Sequence, residues 1–309
     1  MTAHVSPIGL GRKSSGKTLT EPRQMLDHVP GLSPERVAAA EQVASEFAFR
    51  IPQFYAQRVL NGRDDDPLLD LAFPSLEEFS DGPELWDATP SPYRASDSPF
   101  WVQKYQYQGL IRLTTVCSGL CRFCYLKKKN VETSTMKTAD VDRLFDDLME
   151  RGGDLREIIL SGGDPLCVSA DLIEALADRM DAFRTRWGRR AAHITIHTRE
   201  PVWDPEKLLR RRSLIDALRK LKPKTYMINV LHPREVTSEF EDVCSALSEE
   251  AGVGNRPALL CQHPLFKGVN DSVDTLKSLF HGLLMRRVRP YYLYQCDPIS
   301  GSAHFRTQR

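Results

Sequence analysis

Short apolar segments rich in β-branched residues alternate with longer amphipathic segments from residue 108 onward in this 309-residue sequence. Such alternation is typical of repeated strand–helix units, which build a parallel sheet with right-handed crossovers. Between the short segments, Thr138–Arg151 and Ala170–Trp187 are predicted helices. The sequence therefore predicts an α/β fold, an open partial (β/α)6 barrel, with functional residues beyond the C-terminal ends of its strands. The predicted strands are Leu110–Val116, Glu157–Leu160, His193–His197, Tyr226–Val230, Ala258–Cys261 and Val288–Tyr294.

The first part of the chain lacks this alternation. Residues 1–99 are predicted to form an N-terminal helical and irregular extension, and residues 100–309 are predicted to form the barrel domain. Ser33 followed by Pro34 indicates the start of a helix, because serine caps a helix N-terminus and proline is tolerated in the first turn. The apolar positions expected on this helix are Val37, Val43, Phe47 and Phe49.

Composition excludes several classes of function. A formal net charge of +1 gives no reason to expect nucleic acid or another polyanion as a partner. No apolar segment approaches the roughly 20 residues that cross a membrane, so no membrane partner is expected. Residues 1–17 lack the apolar core of a secretory signal and are expected to form a loose lead. Seven cysteines without such a signal predict reduced thiols in the cytoplasm, where clustered cysteines indicate a metal.

Three of these cysteines lie close together in the sequence. Cys117, Cys121 and Cys124 directly follow the first predicted barrel strand, so their thiolates can converge on one metal centre. Three thiolates suit a [4Fe–4S] cluster whose fourth iron is left open for a ligand. The alternative is a structural zinc site, which needs a fourth ligand such as His193 or His197. The triplet favours iron–sulfur over zinc.

A second motif follows the next predicted strand, where Ser161, Gly162, Gly163 and Asp164 are consecutive. Glycine lets the backbone approach a ligand closely, and a carboxylate or a backbone carbonyl can accept a hydrogen bond from an ammonium group. A plain turn is the alternative interpretation. The position of this motif one strand after the cysteines favours a ligand site.

Together these motifs resemble the signature of the radical S-adenosylmethionine superfamily, in which an aromatic residue, here Phe123, precedes the last cysteine. The resemblance implies that the open iron binds S-adenosylmethionine, with Phe123 and the segment from Ser161 to Asp164 lining the cofactor site. One electron from the cluster then yields a 5′-deoxyadenosyl radical that abstracts hydrogen from a small-molecule substrate. An external electron donor such as flavodoxin or ferredoxin is implied, and no catalytic side chain is identified.

Longer matches resemble the lysine 2,3-aminomutase family and extend from Phe100 to Arg309. Members of this family move an α-amino group to the β-carbon, with pyridoxal phosphate holding the nitrogen. Asp297 matches an aspartate that contacts the distal amino group of the substrate in lysine-specific members, which implies a lysine-like or arginine-like amino acid as substrate. The matching segments are residues 197–202, 268–271, 288–297 and 304–306.

Three departures from the family pattern argue against pyridoxal phosphate as a cofactor of this chain. Gln108 replaces the arginine that binds the cofactor phosphate, Leu126 replaces the arginine that binds the substrate carboxylate, and the family's lysine segment downstream of residue 306 is not found before Arg309. Neutral glutamine cannot replace a charge-assisted bidentate contact. We therefore expect that this chain forms no covalent lysine adduct with pyridoxal phosphate. The nearby cations that could compensate are Arg112, Lys127 and Lys128.

Several interpretations remain open at the level of the sequence. The radical chemistry could lead to an aminomutase-like rearrangement, or to desaturation or epimerisation without pyridoxal phosphate. Alternatives are a pyridoxal-phosphate-dependent aminomutase whose C-terminal segment is missing from this chain, a non-catalytic iron–sulfur electron carrier or sensor, and a zinc-stabilised binding module. Assembly into a homo-oligomer is compatible with the sequence. The remaining cysteines, expected to be small buried side chains, are Cys167, Cys244, Cys261 and Cys296.

Overall fold

The main sheet of the protein is open and mostly parallel. A computed structural model of the chain describes residues 16–80, 93–128, 132–249 and 256–307. In these residues two short strands, β1 (Thr18–Leu19) and β2 (Ile51–Pro52), pair with each other, and seven strands form one larger sheet. The larger sheet consists, in spatial order, of β3 (Trp101–Tyr105), β4 (Gln108–Thr114), β5 (Glu157–Gly162), β6 (His193–Thr198), β7 (Thr225–Ile228), β8 (Ala258–Leu265) and β9 (Val288–Gln295).

The strands from β4 to β9 are parallel and neighbour one another in chain order. This arrangement confirms the predicted open partial (β/α)6 barrel. The strand β3, which pairs antiparallel with β4 at the edge of the sheet, was not predicted from the sequence. Its central residues Gln103 and Lys104 are polar, and no continuous apolar segment marks this strand.

Helices fill the connections between the strands, as the alternation predicts. The segments Thr138–Arg151 and Ala170–Trp187 are helical with the predicted bounds. Each presents an apolar face to the core, which in the second helix includes Leu176, Met180 and Phe183. The helices are α1 (Pro34–Val43), α2 (Gln53–Arg58), α3 (Pro67–Ala72), α4 (Thr138–Arg151), α5 (Ala170–Trp187), α6 (Glu200–Trp203), α7 (Pro205–Arg210), α8 (Arg212–Leu221), α9 (Ser238–Leu247) and α10 (Val273–Met285).

The predicted start of α1 is confirmed, because the Ser33 hydroxyl accepts a hydrogen bond from the Arg36 amide. The predicted extent of its apolar face is wrong, since α1 ends at Val43. Phe47 forms an isolated β-bridge with Lys128 instead of a further helical turn. The extension therefore leaves its helix to pair with the chain just after the cysteine triplet.

The extension and the barrel share one hydrophobic core. Tyr55 of α2 packs on Trp203 at the end of α6, with ring centroids 4.5 Å apart. The predicted domain boundary at residue 99 stays a prediction, and the predicted loose lead lies mostly outside the described residues. None of the helices in the described part of the chain is long and apolar enough to span a membrane.

A buried group of three charges ties the extension to the cysteine segment. Glu78 accepts hydrogen bonds from Arg122 Nε and Nη2 at 2.9 and 2.7 Å, and its carboxylate lies 2.8 Å from Lys127 Nζ. All three side chains are fully buried. Arg122 also donates to the Ala48 carbonyl, and Lys127 donates to the Gly301 carbonyl at 2.6 Å. The cysteine segment is thus bound both by the N-terminal extension and by Gly301 near the other end of the chain.

We predict that Glu78→Gln lowers the free energy of unfolding by about 3–5 kcal/mol, because it leaves two buried cations without their carboxylate. Urea denaturation followed by circular dichroism measures this loss. The matched control is Glu77→Gln, whose side chain is exposed on the same short helix. The control should stay within about 0.5 kcal/mol of the unchanged protein. Equal stability of the two variants would contradict a role for the buried charges.

Candidate functional site

A cavity of about 200 Å³ opens at the C-terminal ends of the central strands. Its walls come from the segment that follows β4, from the C-terminal ends of β5, β6 and β7 with the residues after them, and from Gln262 of β8. This is the end of the barrel at which the sequence analysis expected the function. The predicted site residues that line the cavity are Cys117, Cys121, Phe123, Cys124, Ser161, Gly162, Gly163 and Asp164.

Asp297 is the predicted site residue that does not line the cavity. It lies just after β9 with an exposed side chain. Its carbonyl accepts hydrogen bonds from the Ile299 amide at 2.8 Å and the Ser302 hydroxyl at 3.0 Å, which fix the turn. Burial raises the pKa of the Cys124 thiol, and the Asp297 carboxylate is close enough to raise it further. The charge of Asp297 thus reaches Cys124, although its side chain does not line the cavity.

The three cysteine thiols face the same cavity from a largely apolar setting. Burial raises the pKa of Cys117 and of Cys124, and it raises the pKa of Cys121 to about 12. Buried thiols of this kind stay protonated unless a metal favours the thiolate. The donor set therefore fits a group that brings its own positive charge.

The described residues do not form a site for a single metal ion, since no three His, Cys, Asp or Glu side chains among them are arranged around one point. A four-iron cluster separates its thiolate ligands more widely than one zinc ion does. His197 lines the cavity, whereas His193 begins the same strand and lies 3.6 Å from Glu157. His193 therefore lies at the opposite end of β6 from the cavity and is not placed to close a zinc site with the cysteines.

The two glycines of the second motif allow close packing of one backbone on another. Gly162 has a φ of +114°, and a Cβ added there would lie 2.6 Å from the Thr114 carbonyl oxygen. A Cβ on Gly163 would lie 2.5 Å from the Val116 carbonyl oxygen. From the sequence, these glycines are expected to let the backbone approach a ligand. In the structure they admit the strand end that leads into Cys117.

The carboxylate of Asp164 is already used within the protein. It accepts hydrogen bonds from the Thr198 hydroxyl at 2.8 Å and from the amides of Arg199 and Glu200 at 2.7 and 2.9 Å. The Leu166 amide donates to the same carboxylate at 3.0 Å. Asp164 thus fixes the end of β6 against the end of β5, while the amides of Gly163 and Asp164 donate to the Thr114 and Val116 carbonyls.

Arg199 and Trp203 also line the cavity, and the sequence analysis gave neither of them a role. Arg199 pairs with the buried Glu235 at 2.6 Å, and its guanidinium lies 5.0 Å from the centroid of the Trp203 ring. The signal for Arg199 was present in the matching segment at residues 197–202. Trp203 follows that segment directly, and no pattern in the sequence marks its contact.

Gln108 and Leu126, which replace two arginines of the family pattern, bring no positive charge to the site. The side-chain amide of Gln108 donates to the Glu157 carboxylate, whose pKa is lowered to about 2, chiefly by a hydrogen bond with His193. Leu126 is buried at the cavity wall. Of the cations considered as replacements, Lys127 is buried in the charge group with Glu78.

Arg112 is placed differently from Lys127. It pairs with Ser161 in the register of β4 and β5, and paired residues point to the same face of a sheet. Because Ser161 lines the cavity, Arg112 is on the inner face of the barrel. Its side chain is exposed, and its Nη2 donates to the Pro99 carbonyl at 2.8 Å.

Three of the remaining cysteines are buried as expected, namely Cys244, Cys261 and Cys296. Cys167 is only half-buried, with its sulfur 3.6 Å from the Ser118 hydroxyl and from the Glu200 carboxylate. The expectation of a small apolar role is therefore wrong for Cys167, which follows the glycine motif and shares its polar surroundings.

Comparisons with known proteins agree with the geometry. The sequence profile of the radical SAM superfamily matches residues 111–279. An L-lysine 2,3-aminomutase of Fusobacterium nucleatum is 31% identical over 89% of this chain and 62% of its own length. An L-lysine 2,3-aminomutase of Clostridium subterminale is 29% identical over 92% and 65%. A glutamate 2,3-aminomutase of Clostridioides difficile is 24% identical over 86% and 60%. The chain thus spans less than two thirds of the length of these relatives.

We predict that Gly163→Ala lowers the free energy of unfolding by about 1–3 kcal/mol, because the new methyl group forces two backbone segments apart. Urea denaturation measures the change. Gly282→Ala is the control, since the nearest atom to its added Cβ is 3.7 Å away and alanine favours the helix by up to about 1 kcal/mol. A Gly163 variant as stable as the control variant would show that this close approach does not matter.

Proposed function

The chain belongs to the radical S-adenosylmethionine superfamily and resembles its lysine 2,3-aminomutase branch, and we propose that Cys117, Cys121 and Cys124 hold one [4Fe–4S] cluster. The observation that carries this proposal is the shared cavity, which all three thiols line together with the glycine motif. When bound, the cluster and S-adenosylmethionine supply a carbon radical that abstracts hydrogen from a substrate. An electron carrier has no need of such a cavity.

The cofactor S-adenosylmethionine is proposed to bind between Phe123 and the backbone from Ser161 to Gly163. Phe123 packs on Phe266 with ring centroids 4.5 Å apart, so its ring forms a fixed apolar wall. Asp164 has an indirect role, because its carboxylate binds the end of β6 and keeps it beside the glycines. Apolar walls of this kind exclude water from a reactive site.

The substrate is proposed to be a small basic amino acid, lysine-like or arginine-like. The exposed carboxylate of Asp297, whose charge reaches Cys124, supports a cationic side chain on the substrate. On the inner face of the barrel, Arg112 is the proposed partner of the substrate carboxylate, in place of an arginine at position 126. The names of the relatives include both lysine and glutamate as substrates, so the Asp297 carboxylate is the feature that favours a cation.

The reaction is proposed to be an aminomutase-related rearrangement, or a desaturation or epimerisation, that does not depend on pyridoxal phosphate. The donor of Gln108 is engaged by the ionised Glu157, and Leu126 offers no charge. Neither position can therefore bind a phosphate or a carboxylate as an arginine would. A pyridoxal-phosphate-dependent aminomutation is the alternative that the names of the relatives support.

An external one-electron donor such as flavodoxin or ferredoxin is the proposed redox partner. A cytoplasmic location is part of the proposal, and it is supported by seven cysteines without a disulfide, since a cluster bound by thiolates suits a reducing compartment. The small net charge of the chain is consistent with a small-molecule substrate.

We predict that replacing Cys117, Cys121 and Cys124 together by alanine abolishes the visible iron–sulfur absorption of the anaerobically reconstituted protein. Formation of 5′-deoxyadenosine from S-adenosylmethionine under dithionite should be lost as well, because no other cysteine group faces the cavity in the described residues. Cys244→Ala is the control, since this thiol is buried away from the cavity. A full cluster in the triple variant would sink the proposal.

We predict that the reconstituted protein, without pyridoxal phosphate, transfers deuterium from labelled lysine or arginine into 5′-deoxyadenosine. Mass spectrometry of the nucleoside measures the transfer. Asp297→Asn should raise the KM for the basic substrate about 10- to 150-fold, because a charged hydrogen bond contributes about 1.5–3 kcal/mol. Asp274→Asn, exposed at the start of α10, should leave the KM unchanged.

The same experiment, repeated with added pyridoxal phosphate, decides between the two mechanisms. Adding it should not change the deuterium transfer, and borohydride reduction of the cluster-free protein should label no lysine stoichiometrically. Transfer that appears only with pyridoxal phosphate, together with one labelled lysine, would establish the alternative aminomutase mechanism.

A further inference from the structure

Basic side chains gather where helix α7 passes the cysteine segment. Lys207 and Arg210 of α7 have side chains that are 40% and 53% exposed, and Arg212 is exposed at the start of α8. A Cβ added to Gly16 would lie 3.0 Å from the Arg210 Nη2, and the exposed Lys17 follows this glycine in the chain. The basic patch consists of Lys17, Lys207, Arg210 and Arg212.

The carboxylates paired with the basic patch offset only part of its charge. Glu206 lies 3.5 Å from Arg210, and its own side chain is mostly buried. Glu200 lies 3.9 Å from Lys207 and is fully buried. The other two cations of the patch have no ion-pair partner in the described part of the chain. Because the net charge of the whole protein is only +1, this excess of positive charge is a local feature.

The basic patch contacts the cysteine segment directly. The Lys207 Nζ donates a hydrogen bond to the Ser118 hydroxyl at 3.0 Å, and Ser118 is the residue after Cys117. The next residue, Gly119, packs on Trp203 at the end of α6, since an added Cβ would lie 2.5 Å from the indole Cδ2. Helices α6 and α7 therefore lie against the first loop of the cysteine segment. An electron that arrives at the basic patch has a short path to the proposed cluster ligands.

We propose that the basic patch is the docking surface for the external electron donor, and that this donor is an acidic one-electron carrier protein. The inference rests on the proposed function, namely a cluster bound by the three cysteines. One electron passes from the reduced carrier to the cluster, so the carrier is oxidised and the cluster is reduced, and no bond is made or broken. Opposite charges raise the rate of encounter, and the contacts of electron-transfer proteins are typically small and weak. A compact group of four cations suits such a contact.

The test is Arg210→Glu combined with Arg212→Glu, which reverses two exposed charges and leaves Lys207 on Ser118. Formation of 5′-deoxyadenosine by the reconstituted protein is measured against the concentration of a reduced flavodoxin of net negative charge. At low ionic strength the apparent KM for flavodoxin should rise about tenfold, because the steering of opposite charges is lost. The difference should vanish at about 1 M salt, where the screening length is about 3 Å. With excess dithionite as the reductant, the variant should be as fast as the unchanged protein.

Arg256→Glu combined with Arg287→Glu is the matched control. Both arginines are exposed, and they precede strands β8 and β9 at the end of the sheet opposite the cavity. The control changes the net charge of the protein by the same amount as the test variant. It should leave the apparent KM for flavodoxin unchanged, because these charges lie away from the basic patch.

A second measurement needs no variant. Carbodiimide links a carboxylate of the bound flavodoxin to a lysine that it contacts, and mass spectrometry of the digested complex locates the link. Links should form at Lys17 or Lys207 and not at Lys277, which is exposed on α10. Links confined to lysines outside the basic patch, or an unchanged KM for flavodoxin in the test variant, would overturn the inference while the cluster proposal stands. An unchanged protein that forms no 5′-deoxyadenosine even with dithionite would overturn the proposed function, and this inference with it.

Discussion

The Glu78 carboxylate is the group on which the candidate site depends most, because it holds both cations of the cysteine segment. Arg122 lies between two cysteines of the triplet and Lys127 follows the third, and both are fully buried. Two buried cations in an apolar interior are tolerated only with such compensation. The helix that carries Glu78 belongs to the extension. The barrel therefore supplies the walls of the cavity, whereas the extension fixes the thiols within it.

A second set of contacts builds the opposite wall from main-chain groups. The glycine motif packs on the strand end before Cys117, and the Asp164 carboxylate collects amides from the segment after β6. Arg199 continues this set toward Glu235 and the extension. Three strand ends are thus joined by packing and by hydrogen bonds among side chains and main-chain groups. These contacts fix the relative positions of the strand ends that line the cavity.

Local patterns in the sequence predicted those features that are themselves local. The bounds of α4 and α5 follow from apolar periodicity, and the cysteine triplet and the glycine motif follow from spacing. Contacts between distant segments could not be predicted in this way. Lys127, for example, was considered as a replacement for the missing arginines, but it is bound to Glu78 and Gly301. The roles of Asp164 and Trp203 depend on which strand ends meet. The edge strand β3 was missed because its stability comes from pairing with β4 and not from its own composition.

The bond between Lys127 and the Gly301 carbonyl joins residues that are 174 positions apart in the sequence. A ribosome releases the cysteine segment long before it has made residue 301. Contacts of such high order form late, because the intervening chain must first collapse and pair its strands. The cysteine segment therefore reaches its final shape only when nearly all of the described chain has been synthesised.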